Sequence, residues 1–178
     1  PVLPHRATAS RQLLNGWGDP LPLIDEITIL RVVYQNVNGF SSLDPNNQRI
    51  CHNMKKLQCG IFLAAETNVN WRNRQMVEKF KAYGNNVWPN HRIIVSSHVC
   101  GSDAAHRNSQ YLPGGVAIWI NDYWATRVME CGSDPQGLGR WCYVTVGIKG
   151  GVCVTIFCVY RVCLQSVKPA GDLPATRQ

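Results

Sequence analysis

Apolar and polar positions along this chain follow two periods. ITILRVVYQNVNG at 27–39 opens on a β-branched apolar run and ends in polar residues plus Gly39, the pattern of a buried strand with a solvent-facing end. Asp44 and Pro45 then supply a helix cap and a first-turn proline. Ile50, Met54 and Leu57 follow at helical spacing, and Gly60 supplies a stop. IFLAAE at 61–66 is a second apolar strand, ending in a charge, and WRNRQMVEKFKAYG at 71–84 repeats the helical pattern through Met76, Phe80 and Gly84. The order so far is β-α-β-α.

Beyond Val87 the texture changes. RIIVSSH, GGVAIWIN, WCYVTVGI and VCVTIFCVY read as strands between turns rich in Gly, Asp and Pro, with Lys149-Gly150-Gly151 as a tight hairpin. A helix-bearing start followed by a strand meander predicts an α+β domain with a mixed sheet. Residues 1–26 have little periodicity and several Pro and Gly, so they read as an extension or linker, with the domain starting near Ile27.

Composition narrows the partners. The 178 residues carry a formal net charge of +7, and the stretch from Pro45 to Lys81 alone holds a net +5. That concentration favours an anionic partner, nucleic acid first, although a basic surface on a small protein is often only a solvated face. The polar, Pro-containing opening PVLPHRATASRQ has no apolar stretch of the signal-peptide kind, and no apolar run is long enough to span a bilayer, so an intracellular protein is expected. The eight cysteines are scattered with no CxxC pair, which favours reduced thiols over a disulfide framework. Cys153 and Cys158 in an apolar run, and Cys142 after Trp141, are expected to be buried as small hydrophobes, and no zinc site is expected. Trp119 and Trp141 are placed in the core by their apolar neighbours. Trp71, beside Arg72 and Arg74, is kept as a candidate for stacking on a base.

Three polar clusters end predicted strands: Gln35-Asn36-Val37-Asn38-Gly39, Glu66-Thr67-Asn68 and Tyr160-Arg161. Side chains at strand ends converge on one rim of a sheet, where a carboxylate can hold a hard cation and an amide can orient that carboxylate or a phosphate. Asn36 and Glu66 would form such a pair. Equally, Asn36 and Asn38 can make an Asx turn before Gly39, and Glu66 can sit at the start of the next helix.

Taken in order, these segments resemble the endonuclease/exonuclease/phosphatase superfamily, from about Ile29 to Arg161. VVYQNVNGF is similar to the first family motif, a strand ending in N-x-[DN]-G, and LAAETN to the second. GGVAIWI is similar to the Gly-rich strand, GLGRWCYVTV to the G-R strand, and TIFCVYRVC to the strand ending in Tyr. Asn38 stands where many repair-type members have Asp, while N-x-N-G, Y-x-P-G-G at 111–115 and Y-R-V-C at 160–163 resemble the nucleases of non-LTR retroelements.

The resemblance implies a partial four-layer α/β/β/α sandwich of the DNase I-like kind, mainly the first mixed β-sheet with its helices, over 27–163. Residues 164–178 would begin a second half. It further implies Mg²⁺-dependent hydrolysis of DNA, with Glu66 as metal ligand, Asn36 and Tyr160 at the active site, and Asn38, Arg72, Arg74, Arg140 and Arg161 on the nucleic acid. Arg161 is equally a surface charge on its own reading, and Arg140 is structural or phosphate-facing. A reverse transcriptase downstream in a parent polyprotein and action in the nucleus follow from the same resemblance, as does inactivity of the chain alone, since the Asp-x-Asn and Asp-His motifs of the family are not found after Tyr160. The sheet that covers the first is expected to be missing, leaving VCVTIFCVY exposed. A phosphatase of the same fold and a non-catalytic nucleic-acid-binding remnant are the alternatives.

Overall fold

The computed structural model describes residues 29–40, 45–99 and 109–161, with only the backbone at 45 and 46. The extension at 1–26, the Asp44 cap and the segment from 164 onward lie outside the described residues. The elements run β1 (Val32–Asn36), α1 (Pro45–Lys56), β2 (Ile61–Ala65), α2 (Arg74–Asn85), β3 (Arg92–Ser96), β4 (Val116–Ile120), α3 (Asp122–Ala125), β5 (Val128–Ser133), β6 (Trp141–Gly147) and β7 (Cys153–Val159). The strands and helices read from the apolar periods are all present. The short α3 and the strand β5 were not anticipated.

Four strands form a mixed sheet in the order β1-β2-β4-β3, in which β1 and β2 are parallel and the other pairs antiparallel. The parallel pair needs a crossover, which α1 provides. On one face Phe62, Ala64, Ala117 and Trp119 pack with Met54 of α1 and with Met76 and Phe80 of α2, joined by Phe40 and Trp71. Helix α2 starts at Asn73, whose side chain accepts from the Gln75 N–H, as an N-cap does.

The other face of this sheet is also covered, which corrects the expectation that its covering sheet is missing. Strands β5-β6-β7 form a second, antiparallel sheet. Its inward residues Cys142, Val144, Val146 and Cys158 share a core with Ile61, Leu63, Val116, Ile118 and Ile120. The described chain is thus an α+β sandwich of a helical layer and two sheets. Its β7 is exposed on one side only: Val154, Ile156 and Cys158 turn inward, and Cys153, Thr155, Phe157 and Val159 outward.

This alternation overturns the burial expected of Cys153, because in a run apolar on both faces only the packing partner decides which parity is inside. Trp141 is likewise corrected. It lies half-buried on the outer face of β6 in a ladder with Tyr143 and Phe157, whose rings stack at 5.3 Å. Cys142 and Cys158 are buried as expected, and burial pushes the Cys158 thiol up to about 12.

Two predictions follow from this packing. Val144→Ala should cost about 2 kcal/mol in urea unfolding, whereas Thr155→Ala on the outer face of β7 should stay within about 1 kcal/mol. Equal effects would mean that the sheets are not packed. His91 lies against Gly84 with its Nδ1 at 3.1 Å from the Trp88 carbonyl. Burial holds its imidazole below the ordinary value of 6.5; the Trp88 bond opposes that shift and Lys81 adds to it. A lowered folded-state value means that the unfolded chain binds the extra proton more readily, so this contribution to stability is present above about pH 6.5 and lost as pH falls below it. The urea midpoint should therefore fall from pH 7.5 to pH 5 less steeply in His91→Gln than in the unsubstituted chain.

Candidate active site

Pairing of β2 with both β1 and β4 fixes one end of the first sheet as a rim. Asn36 is opposite Ala65, and Ala65 is opposite Val116, so the residues just after β1 and β2 and just before β4 stand side by side. Residues 66–68 continue as a cross-link there. The Gly39 N–H donates to the Glu66 carbonyl at 2.7 Å and the Phe40 N–H to the Thr67 carbonyl at 2.7 Å. On the other side the Thr67 and Asn68 N–H groups donate to the Gly115 and Gly114 carbonyls at 3.1 and 2.7 Å. Thr67 is fully buried and accepts from the Trp71 indole N–H at 3.0 Å.

This bond settles the role of Trp71. Its ring is 6% exposed and packs edge-on against Phe80 and Trp119, so it is core and unable to stack on a base. The charge of Arg72 beside it gave the opposite impression in sequence, because a residue between β2 and α2 can face inward while its neighbour faces water.

The backbone of this rim adopts left-handed conformations at residues other than glycine. Asn38 has φ 47°, Glu66 φ 53° and Asn68 φ 53°. Asparagine tolerates this region; glutamate does so at a cost of about 1 kcal/mol or more. Asn36 turns its Oδ1 onto the Asn38 N–H at 3.0 Å, so the Asx turn does form. The Asn36 amide nitrogen then remains as its outward donor.

The second sheet contributes from above. The Tyr160 N–H donates to the Arg140 carbonyl at 2.8 Å, one step beyond the Trp141–Val159 pair, which makes these two residues cross-strand neighbours at the same rim. They continue the parity of Cys142 and Cys158, the inward residues. Tyr160 packs against the inter-sheet core, and its ring lies over Gly114, where a Cβ would stand 3.4 Å from the ring. Tyr34, more than half exposed, stands on the face of β1 that lies beside Leu63. Burial raises its phenol above the ordinary range, with Cys158 and Glu66 adding to the shift.

Asn36, Glu66, Arg140 and Tyr160 are therefore brought to one rim between two sheets. Asn38 is exposed beside them, in the same turn. Arg72 and Arg74 are exposed at the same end, at the start of α2. Arg161 is exposed and follows Tyr160, so alternation sends it to the outer face. The basic stretch is divided by the fold: α1 runs back from the rim, and Lys55 and Lys56 in its last turn lie at the opposite end of the sheet. Sequence reading passed over Tyr34 and treated Asn68 only as part of its cluster. No spacing along the chain announces that Asn68 joins the Gly114 turn on which Tyr160 rests.

The donors present fit a hard cation of the Mg²⁺ type. Such an ion takes oxygen ligands, keeps several waters and is held by one or two carboxylates together with substrate phosphate. Glu66 supplies a carboxylate at the rim. Asp134, at the same end, has its oxygens occupied by the Gln136, Leu138 and Arg140 N–H groups. Among the described residues no cluster of three His, Cys, Asp or Glu forms a closed metal cage.

No protein-family model matches the chain, and no curated protein matches it in sequence. Among solved structures it is similar to an AP endonuclease from Archaeoglobus fulgidus, at 17% identity and TM-score 0.47, over 81% of this chain and 45% of that one. It is also similar to the human Nocturnin catalytic domain, at 12% identity and TM-score 0.46, over 72% and 48% of the two chains. A third is an endonuclease/exonuclease/phosphatase from Beutenbergia cavernae, at 12% identity and TM-score 0.43, over 74% and 38%. The chain spans less than half the length of each.

The left-handed turn at Glu66 has a measurable sign. Glycine in a strand is ordinarily worse than alanine, but here Glu66→Gly should be more stable than Glu66→Ala by about 1 kcal/mol. Urea midpoints of the two variants report it, and a more stable Ala variant would show that the turn is not left-handed.

Proposed function

We propose that this chain is the front part of a Mg²⁺-dependent endonuclease domain of the non-LTR retroelement kind, cutting target DNA within a polyprotein that carries a reverse transcriptase downstream. The observation supporting it most is that the backbone brings Asn36 and Glu66 of the first sheet and Arg140 and Tyr160 of the second to one rim. Hydrolysis of a phosphodiester needs groups of these types: an anionic ligand for a cation, and donors aimed at phosphate oxygens. The retroelement assignment rests on N-x-N-G, Y-x-P-G-G and Y-R-V-C, and the nuclear site of action follows from it.

In this reading Glu66 holds Mg²⁺, which when bound polarises the phosphoryl group and makes water a better nucleophile. Asn36, its oxygen committed to the turn, donates its amide N–H to a phosphate oxygen. Tyr160 donates its hydroxyl to another. Arg140, projecting inward beside Tyr160, pairs its planar fork with the phosphate. Arg72 and Arg74 meet the flanking backbone, whereas Lys55 and Lys56 are too far along α1 to do so.

The first test is catalytic. In a nuclease-competent protein carrying these residues, Glu66→Gln should lower the rate of plasmid nicking by roughly 100-fold or more with the fold retained. Wild-type nicking would remove Glu66 from the site, and activity confined to soluble phosphomonoesters would favour the phosphatase alternative. Residues 1–178 alone should not nick, because the Asp-x-Asn and Asp-His motifs that the resemblance calls for are not found after Tyr160. The second test is binding. With about three rim arginines neutralising phosphates, log K should fall with log salt at a slope of roughly −3. Substituting Lys55 and Lys56 by Ala should leave that slope unchanged, and a slope lowered by these substitutions would place the DNA elsewhere.

A further inference from the structure

Asn68 touches both segments of the first sheet that flank it at the rim. Its N–H donates to the Gly114 carbonyl at 2.7 Å, and its side-chain Oδ1 accepts from the Gly114 N–H at 2.8 Å, so the two residues are joined twice. Its own carbonyl accepts from the Leu112 N–H at 3.3 Å. Its Nδ2 lies against Gly39, where a Cβ would stand 3.4 Å away. Gly114 in turn underlies the Tyr160 ring.

We infer that Asn68 is a positioning residue of this site, clamping the Gly114 turn so that Tyr160 of the second sheet is held in register with Glu66 and the Asn36 turn of the first. The inference rests on the reading of this rim as a phosphodiester-cleaving site. Few side chains besides asparagine and aspartate suit the position. The left-handed φ of 53° disfavours most residues, and among those that tolerate it glycine lacks the acceptor for the Gly114 N–H. Leucine or alanine would leave that N–H without its partner, and a longer amide would displace Gly39. Asn68 acts through its neighbours. Tyr160 and Glu66 come from different sheets, and the Asn68 clamp at Gly114, beside the Thr67 bonds to Gly114 and Gly115, links the strand end of Glu66 to the surface on which Tyr160 rests.

A purely structural role for Asn68, as a residue that merely accepts a left-handed turn, makes the opposite prediction for glycine. The test labels the chain with 3-fluorotyrosine and assigns the Tyr160 ¹⁹F resonance through Tyr160→Phe. Asn68→Gly keeps the turn and removes the clamp. It should shift or broaden the Tyr160 resonance while leaving those of Tyr83 and Tyr123 in place, and Asn68→Asp, which keeps the acceptor, should restore it. In the nuclease-competent protein Asn68→Gly should lower kcat roughly 10- to 100-fold with KM within about twofold, and Asn68→Asp should recover most of that loss. An unmoved Tyr160 resonance in Asn68→Gly overturns the inference, as does a shift of every tyrosine together. If the resonances behave as expected but Glu66→Gln nicks at the wild-type rate, the clamp stands and the nuclease reading is what fails.

Discussion

The extension of β2 beyond its strand is the constraint on which the rim depends. Residues 66–68 leave regular β geometry yet keep hydrogen bonds to both sides, to 39–40 and to 114–115, and Thr67 between them is anchored in the core by Trp71. Each such bond contributes on the order of 1 kcal/mol net, which together offset left-handed backbone at Glu66. Because β2 is central to the first sheet, with β1 on one side and β4 on the other, a single segment sets the positions of three turns. The aromatic cluster of Phe40, Trp71, Phe80 and Trp119 lies directly beneath, so the rim is as rigid as the core that carries it.

Much of this was legible in the sequence, for identifiable reasons. Strands such as IFLAA and VAIWI are buried on both faces and read as continuous apolar runs, and α2 shows helical spacing through Met76, Phe80 and Gly84. Strand β5 escaped because VMECGS carries Glu130 and Gly132 and has a register shift between Val128 and Glu130, so no period of two survives. The second sheet was taken to be absent because the resemblance placed it in a half of the domain following residue 163. The parity of β7 was hidden for a different reason: both faces of CVTIFCV are largely apolar, and only the packing of Cys158 under the first sheet decides that Cys153 is outside.

The site divides along the same line. Asn36, Glu66 and Tyr160 stand out in the sequence because each is a polar residue closing an apolar strand. What the chain order could not convey is which sheet faces which. That relation brings Tyr160 over Gly114, with Arg140 beside it on the neighbouring strand, and makes Asn68 the partner of the Gly114 turn beneath. Contiguity misled once, in the basic stretch, since a helix returning between parallel strands carries its last turn to the far end of the sheet. Trp71 misled by its neighbours.

The central claim is that Glu66 and Tyr160, from two different sheets, act on one phosphate. A double-mutant cycle on plasmid nicking in the nuclease-competent protein tests it most directly, with Glu66→Gln, Tyr160→Phe and the pair compared by kcat/KM. Groups that act as a unit are strongly non-additive. The account predicts that the double variant is little worse than Glu66→Gln alone; losses that multiply, as for independent and distant residues, would contradict it.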